Sequence, residues 1–174
     1  MQFVCSASFP PDDRSYGWER ATTISKDWDQ ATTEGALQAA DDIGKRINEL
    51  AGTKEGAADR RQKLMAFCRT LVERAFRRPL SDELAAVYVT RVFESTSDPD
   101  AALRHVALLT LKSPRFLYRE VGGPADDFNV AARLSYGLWN SLPDQELWNA
   151  ARDGKLKTQA QVGLRPERMV RDPP

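Results

Sequence analysis

The apolar residues of this chain recur at three- and four-residue spacing in one stretch after another, and nowhere alternate for four or more residues between turn signals. Spacing near 3.6 belongs to amphipathic helices, whereas half-buried strands need a period of two. That property restricts the chain to the all-α class, so its core must come from packing helix against helix. Leu, Ile, Val and Phe make up about a fifth of the 174 residues, enough for a lean core. Lys and Arg number 25 and so do Asp and Glu, so the large net charge that favours disorder is missing. No run approaches the ~18 apolar residues of a membrane-spanning helix. No N-terminal stretch has the basic, apolar and small-residue order of a signal peptide.

Residues 1–30 show no helical period. Pro10-Pro11-Asp12-Asp13 signals a turn, Gly17 interrupts the next stretch, and Trp18 and Trp28 read as anchors that dock an irregular segment onto a helical body. From Thr33 to Ala51, Leu37, Ala40, Ile43, Ile47 and Leu50 trace one helix face, with Thr32 or Thr33 as the cap and Gly52 as the stop. A second helix over 57–77 carries Leu64, Phe67, Cys68, Leu71, Val72, Ala75 and Phe76, and Pro79 ends it. Ser81 caps a third, with Leu84, Val87, Tyr88 and Val92 inward. Asp98-Pro99 opens a fourth with Leu103, Val106, Ala107 and Leu109 on its stripe, and Ser113-Pro114 opens a short helical piece.

Val121-Gly122-Gly123-Pro124 is the strongest break. Beyond it Asp126 or Asp127 caps a helix that runs to about Asn140, with Phe128, Ala131, Leu134, Leu138 and Trp139 inward. Pro143-Asp144 begins another, carrying Leu147 and Trp148 and stopped by Gly154. The tail has room for one more helix, which Pro166 starts or splits. The expected fold is all-α: an irregular bundle of about seven helices in two subdomains. Its parts are an irregular N-terminal segment over 1–30, a helical module over 31–121 and a second, truncated helical module over 125–174.

Few residues carry chemistry. Cys5, Cys68 and His105 are three scattered ligands where a tetrahedral zinc site needs four. Cys68 lies in the apolar run from Leu64 and reads as core. No Cys-x-x-Cys-His occurs, so no c-type haem is attached here and no cofactor is expected in this fragment. No phosphate-cradling glycine motif, Gly-x-Ser-x-Gly elbow or His-Glu-x-x-His is present. Zero net charge argues against a nucleic-acid partner.

Arginine supplies 18 of the 25 basic residues, and Arg69, Arg74, Arg77 and Arg78 cluster at the end of the second helix. One reading is an anion site. The favoured one is a helix end whose cations complement the macrodipole and pair with nearby carboxylates. Arg115 and Arg119, four apart with Tyr118 between them, either grip a carboxylate or pin a helix start to a neighbour through bidentate ion pairs.

Three stretches resemble a known family: Arg74-Ala75-Phe76-Arg77-Arg78-Pro79-Leu80-Ser81-Asp82-Glu83, then Ser113-Pro114-Arg115-Phe116-Leu117-Tyr118-Arg119, then Ala132 through Leu147 with Tyr136-Gly137-Leu138-Trp139 at its centre. In that order they resemble the large planctomycete-type proteins built from serial domains of unknown function, many of which also carry a cytochrome c-type haem domain. The resemblance implies a slice of a longer secreted chain in the periplasm or at the cell surface. Its partners would be neighbouring domains of the same chain, a cytochrome c-type haem domain among them. The expected function is a helical scaffold or interaction module. The alternative is part of a periplasmic haem-linked redox enzyme acting on a polymeric or carbohydrate substrate, which needs Arg115, Tyr118 and Trp139 to converge. The candidate interaction or structural cluster is Arg77, Arg78, Arg115, Tyr118, Arg119 and Trp139.

Overall fold

Ser25 starts the first helix: its Oγ accepts the Trp28 N–H at 3.1 Å, and Asp27 and Asp29 place negative charge in the first turn. The computed structural model describes residues 6–8, 25–118 and 126–171, without the side chains of 164, 165, 167, 168 and 171. Within them α1 spans Lys26–Lys45 and α2 Ile47–Leu50, separated by a kink at Arg46. Helix α3 spans Arg60–Phe76. Helix α4 runs Asp82–Ala85, passes through a π-helical stretch Ala86–Thr90 and resumes as Arg91–Glu94. Then come α5 at Pro99–Leu111, α6 at Pro114–Leu117, α7 at Asp127–Trp139, α8 at Gln145–Arg152 and α9 at Gln159–Arg171. The described residues contain no strand, and the fold is all-α.

Ser81 and Asp98 cap their helices as expected, Asp126 rather than Asp127 is the cap of α7, and Ser113 and Asp144, expected where helices open, also accept a backbone N–H of the first turn. The first helix differs from expectation. It starts at Lys26, inside the stretch that reads as irregular, because Ser25 is the cap. Thr32 and Thr33 sit within the helix and return their hydroxyls to the Asp29 carbonyl at 2.9 and 2.8 Å. The kink at Arg46 and the tail helix α9 raise the expected seven helices to nine among the described residues. The Pro10–Asp13 turn, Gly17, Trp18, Cys5, Arg119 and the Val121–Pro124 break lie outside the described residues.

Two apolar cores form. In the first, Leu64, Cys68 and Val72 of α3 meet Phe93 of α4 and Leu103 and Val106 of α5, all fully buried. Each such side chain contributes about 1.5–3 kcal/mol by leaving water. Helix α1 covers the other side of α5, where Lys112 Nζ reaches Asp29 Oδ1 at 2.9 Å and Thr32 Oγ1 at 3.0 Å. In the second core, Ala131 of α7, Leu147, Ala150 and Ala151 of α8, Leu156 and Met169 close together.

Four expected inward positions point out, among them Leu37 of α1, which is 53% exposed while Ala36 and Ala40 are buried. Val87 is 46% exposed while Val89 is 4% exposed: the buried stripe of α4 is Ala85, Val89, Val92 and Phe93, at i, i+4, i+7 and i+8, and Val87 falls on the opposite face. Leu109 and Leu138 are likewise exposed, each on the face of its helix that its packing partners leave open. Pro166 neither starts nor splits the tail helix: α9 runs through it. An interior proline costs ~3 kcal/mol. Beyond it α9 is anchored by buried Met169, whose carbonyl accepts Trp139 Nε1–H at 2.6 Å.

Candidate functional site: an arginine joint between two helical units

Helix α3 ends in a Schellman motif: Arg78 N–H bonds the Glu73 carbonyl and Arg77 N–H the Arg74 carbonyl, both at 3.1 Å. The motif places Arg77 in the left-handed region, with φ 60°. Glycine is the usual residue there, and a side chain costs about 1 kcal/mol. Pro79 then carries the chain away from the helix axis.

The turn aims the Arg77 side chain inward, where the residue is only 4% exposed. Its Nη1 donates to the carbonyls of Ala75 and Phe116, both at 3.1 Å. Its Nη2 donates to the carbonyls of Arg115 and Tyr118, at 2.6 and 3.2 Å. These acceptors include the last carbonyls of α6, whose partial negative charge suits a buried guanidinium. The guanidinium also stands 5.9 Å from the ring centre of Tyr136 on α7.

Two neighbouring arginines extend across to the second unit. Arg78 Nη1 meets Asp126 Oδ2 at 3.1 Å, and its Nη2 meets Asn129 Oδ1 at 3.1 Å. Asp126 is also the cap of α7, accepting Asn129 N–H at 2.9 Å. Arg78 therefore grips the start of that helix through its capping carboxylate. Arg74 lies over the Trp148 ring at 5.1 Å, with Nη1 buried and without a hydrogen-bond acceptor among the described residues. Trp148 packs edge-on against Phe128, ring centres 5.5 Å apart.

Of the cluster expected from sequence, Arg77, Arg78 and Arg115 come together, with the carbonyl of Tyr118. The role expected of Arg115, pinning a helix start to a neighbour through an ion pair, belongs to Arg78. Arg115 contributes its carbonyl, and its guanidinium makes no ion pair among the described residues. The Tyr118 ring stacks on Trp28 at 6.1 Å. Trp139 belongs to the second core, where it holds α9. It lies about two turns, roughly 10 Å of helix rise, beyond Ala132, which lines the arginine recess. The Arg115, Tyr118 and Trp139 side chains thus do not gather in one cleft. Arg119 lies outside the described residues.

A second buried arginine escapes sequence reasoning. Arg60, at the opposite end of α3, binds Asp100 through Nε to Oδ1 at 3.0 Å and Nη2 to Oδ2 at 2.7 Å, and Asn48 Oδ1 at 2.6 Å. Asp100 holds its pKa above the usual arginine value. Its partners lie 12 and 40 residues away, so no local pattern marks them. Among the described residues no group of three or more His, Cys, Asp or Glu could hold a metal ion. No helix there is long and apolar enough to cross a membrane.

The architecture is that of two small helical units joined by arginines. Residues 63–120 match the family model described as "PSD5: Protein of unknown function (DUF1595)", and residues 125–174 match "PSD4: Protein of unknown function (DUF1592)". The chain is therefore similar to two domains of unknown function in serial arrangement, and the arginine joint runs from one matched stretch to the other. No curated protein and no solved structure matches the chain.

Proposed function

We propose that this chain is a helical scaffold module of a longer secreted multidomain protein, and that its arginine joint fixes two serial units in one orientation. The observation that carries this reading is how the arginine donors are used. Arg77 directs four hydrogen bonds to main-chain carbonyls, and Arg78 grips a helix cap. Groups held in that way maintain a geometry. The placement in the periplasm or at the cell surface, beside other domains of the same chain and a cytochrome c-type haem domain, is supported by the family resemblance.

The test is the cooperativity of unfolding. In the full chain, near-ultraviolet circular dichroism and hydrogen exchange in α7 and α8 should report one transition shared with α3 and α5. In the double variant Arg77→Ala/Arg78→Ala, α7 and α8 should melt separately and earlier. Retention of a single unshifted transition would overturn the proposal.

A further inference from the structure

Helix α6 and its C-cap supply three of the four carbonyls that hold Arg77, yet the helix is a single turn, Pro114–Leu117. A helix that short has no stability of its own, so its place and direction come from what holds it. Phe116 packs on the first core, and the Tyr118 ring stacks on Trp28. Apolar packing is non-directional and leaves one turn free to rotate. Directional bonds act at the start of α6. Buried Ser113 accepts the Arg115 N–H at 3.2 Å, and its Oγ shares a 2.9 Å hydrogen bond with Tyr88 Oη of α4.

Tyr88 also touches the other root of the joint. Its ring meets Phe76 edge-on, with centres 5.0 Å apart and planes at 82°. Phe76 is the residue before Arg77. One half-buried side chain therefore contacts both the end of α3 that presents the guanidinium and the start of α6 that presents its acceptors.

We propose that Tyr88 is a latch for the joint, a positioning residue whose hydroxyl, through Ser113, holds α6 at the angle at which Arg77 bonds all its carbonyls. The orientation of the second unit is then set from α4. This rests on the scaffold reading and names the residue that controls how firmly the scaffold holds. The Arg77 fork is planar and rigid, so its acceptors must stand in one arrangement. Without the Tyr88 hydroxyl, Ser113 Oγ loses its partner across the core, and α6 can turn until the Arg115 and Tyr118 carbonyls leave the fork. Arg78 follows Arg77 in the chain and grips Asp126, the cap of α7, so slack at Arg77 passes to the second unit.

Residual dipolar couplings of the isotope-labelled full chain read the order of each unit separately, from α3 and α5 for the first and from α7 and α8 for the second. In the parent, one alignment tensor should fit all four helices. Tyr88→Phe keeps the ring against Phe76 and removes the hydroxyl alone. Its second unit should show a tensor about twofold smaller than its first, as for units free to reorient. Ser113→Ala, which removes the other half of the bond, should shrink it at least as far. Cys68→Ala opens a cavity in the first core about two turns before Phe76. It should lower the melting temperature and keep one tensor, which separates positioning from mere loss of stability. A single tensor in Tyr88→Phe would overturn the latch, and so would a split tensor in Cys68→Ala. An undisturbed Ser113→Ala would overturn the route through Ser113. Two tensors in the parent would overturn the scaffold reading and the latch with it, whereas a single tensor in both parent and Tyr88→Phe would overturn the latch alone.

Discussion

Arg77 carries two costs at one residue, a left-handed backbone and a buried charge. Both are offset by carbonyls that only a guanidinium fork can reach together. Arg77→Ala should destabilise the chain by about 3 kcal/mol, since the bonds to the guanidinium are lost and the carbonyls stay buried. Arg77→Gly should recover about 1 kcal/mol of that loss by relaxing the left-handed turn. Urea unfolding checks both, and a glycine variant as stable as the parent would show that the guanidinium contributes no more than the relaxed turn, about 1 kcal/mol. Cys68 is a second residue-scale case. Burial pushes its thiol from an ordinary 9.0 up to about 12. The native state therefore holds that proton more tightly than the unfolded chain. The resulting stability is complete below pH 9 and is lost as pH rises toward 12. The stability gap between parent and Cys68→Ala should accordingly narrow between urea titrations at about pH 8 and pH 11.

At the scale of elements, caps were legible because their chemistry acts within three residues. Ser81, Asp98, Ser113, Asp126 and Asp144 each accept an N–H two or three positions ahead, and the helix starts where the cap says. Helix phase was less legible. A stripe through Leu84, Val87, Tyr88 and Val92 puts Val87 inward, but the buried side of α4 is Ala85, Val89, Val92 and Phe93, the same helical spacing at a neighbouring phase. Val87→Asp should change stability by no more than about 0.5 kcal/mol, and Val89→Asp should cost more than about 3 kcal/mol. Equal costs in thermal melts would mean that Val87 is as buried as Val89.

Across the whole molecule, two cores of separate composition are connected by contacts that are cationic on one side and aromatic or acidic on the other. A joint of this kind is directional, since guanidinium planes and rings have preferred approaches. The coupling is measurable at Arg74 and Trp148, which meet across the joint. A double-mutant cycle with Arg74→Ala and Trp148→Ala should return an interaction of about 1 kcal/mol in favour of the pair. Strict additivity would show that the two units stand together without this contact.

The sequence by itself determined the helical class, the order of most helices and the starting points of α4 to α8, because periodicity, caps and Pro–Gly punctuation act over a few residues. Even the recess was half visible, as arginines crowded at a helix end beside a Ser-Pro-Arg start. The tertiary structure decided what those arginines do. Arg77 finds carbonyls about 40 residues away, Arg60 finds Asp100 at a similar distance, and the Arg115 guanidinium makes no bond among the described residues. An arginine carries the same five donors wherever it stands. Whether they are spent on the main chain or remain available depends on which distant backbone the packing brings within 3 Å.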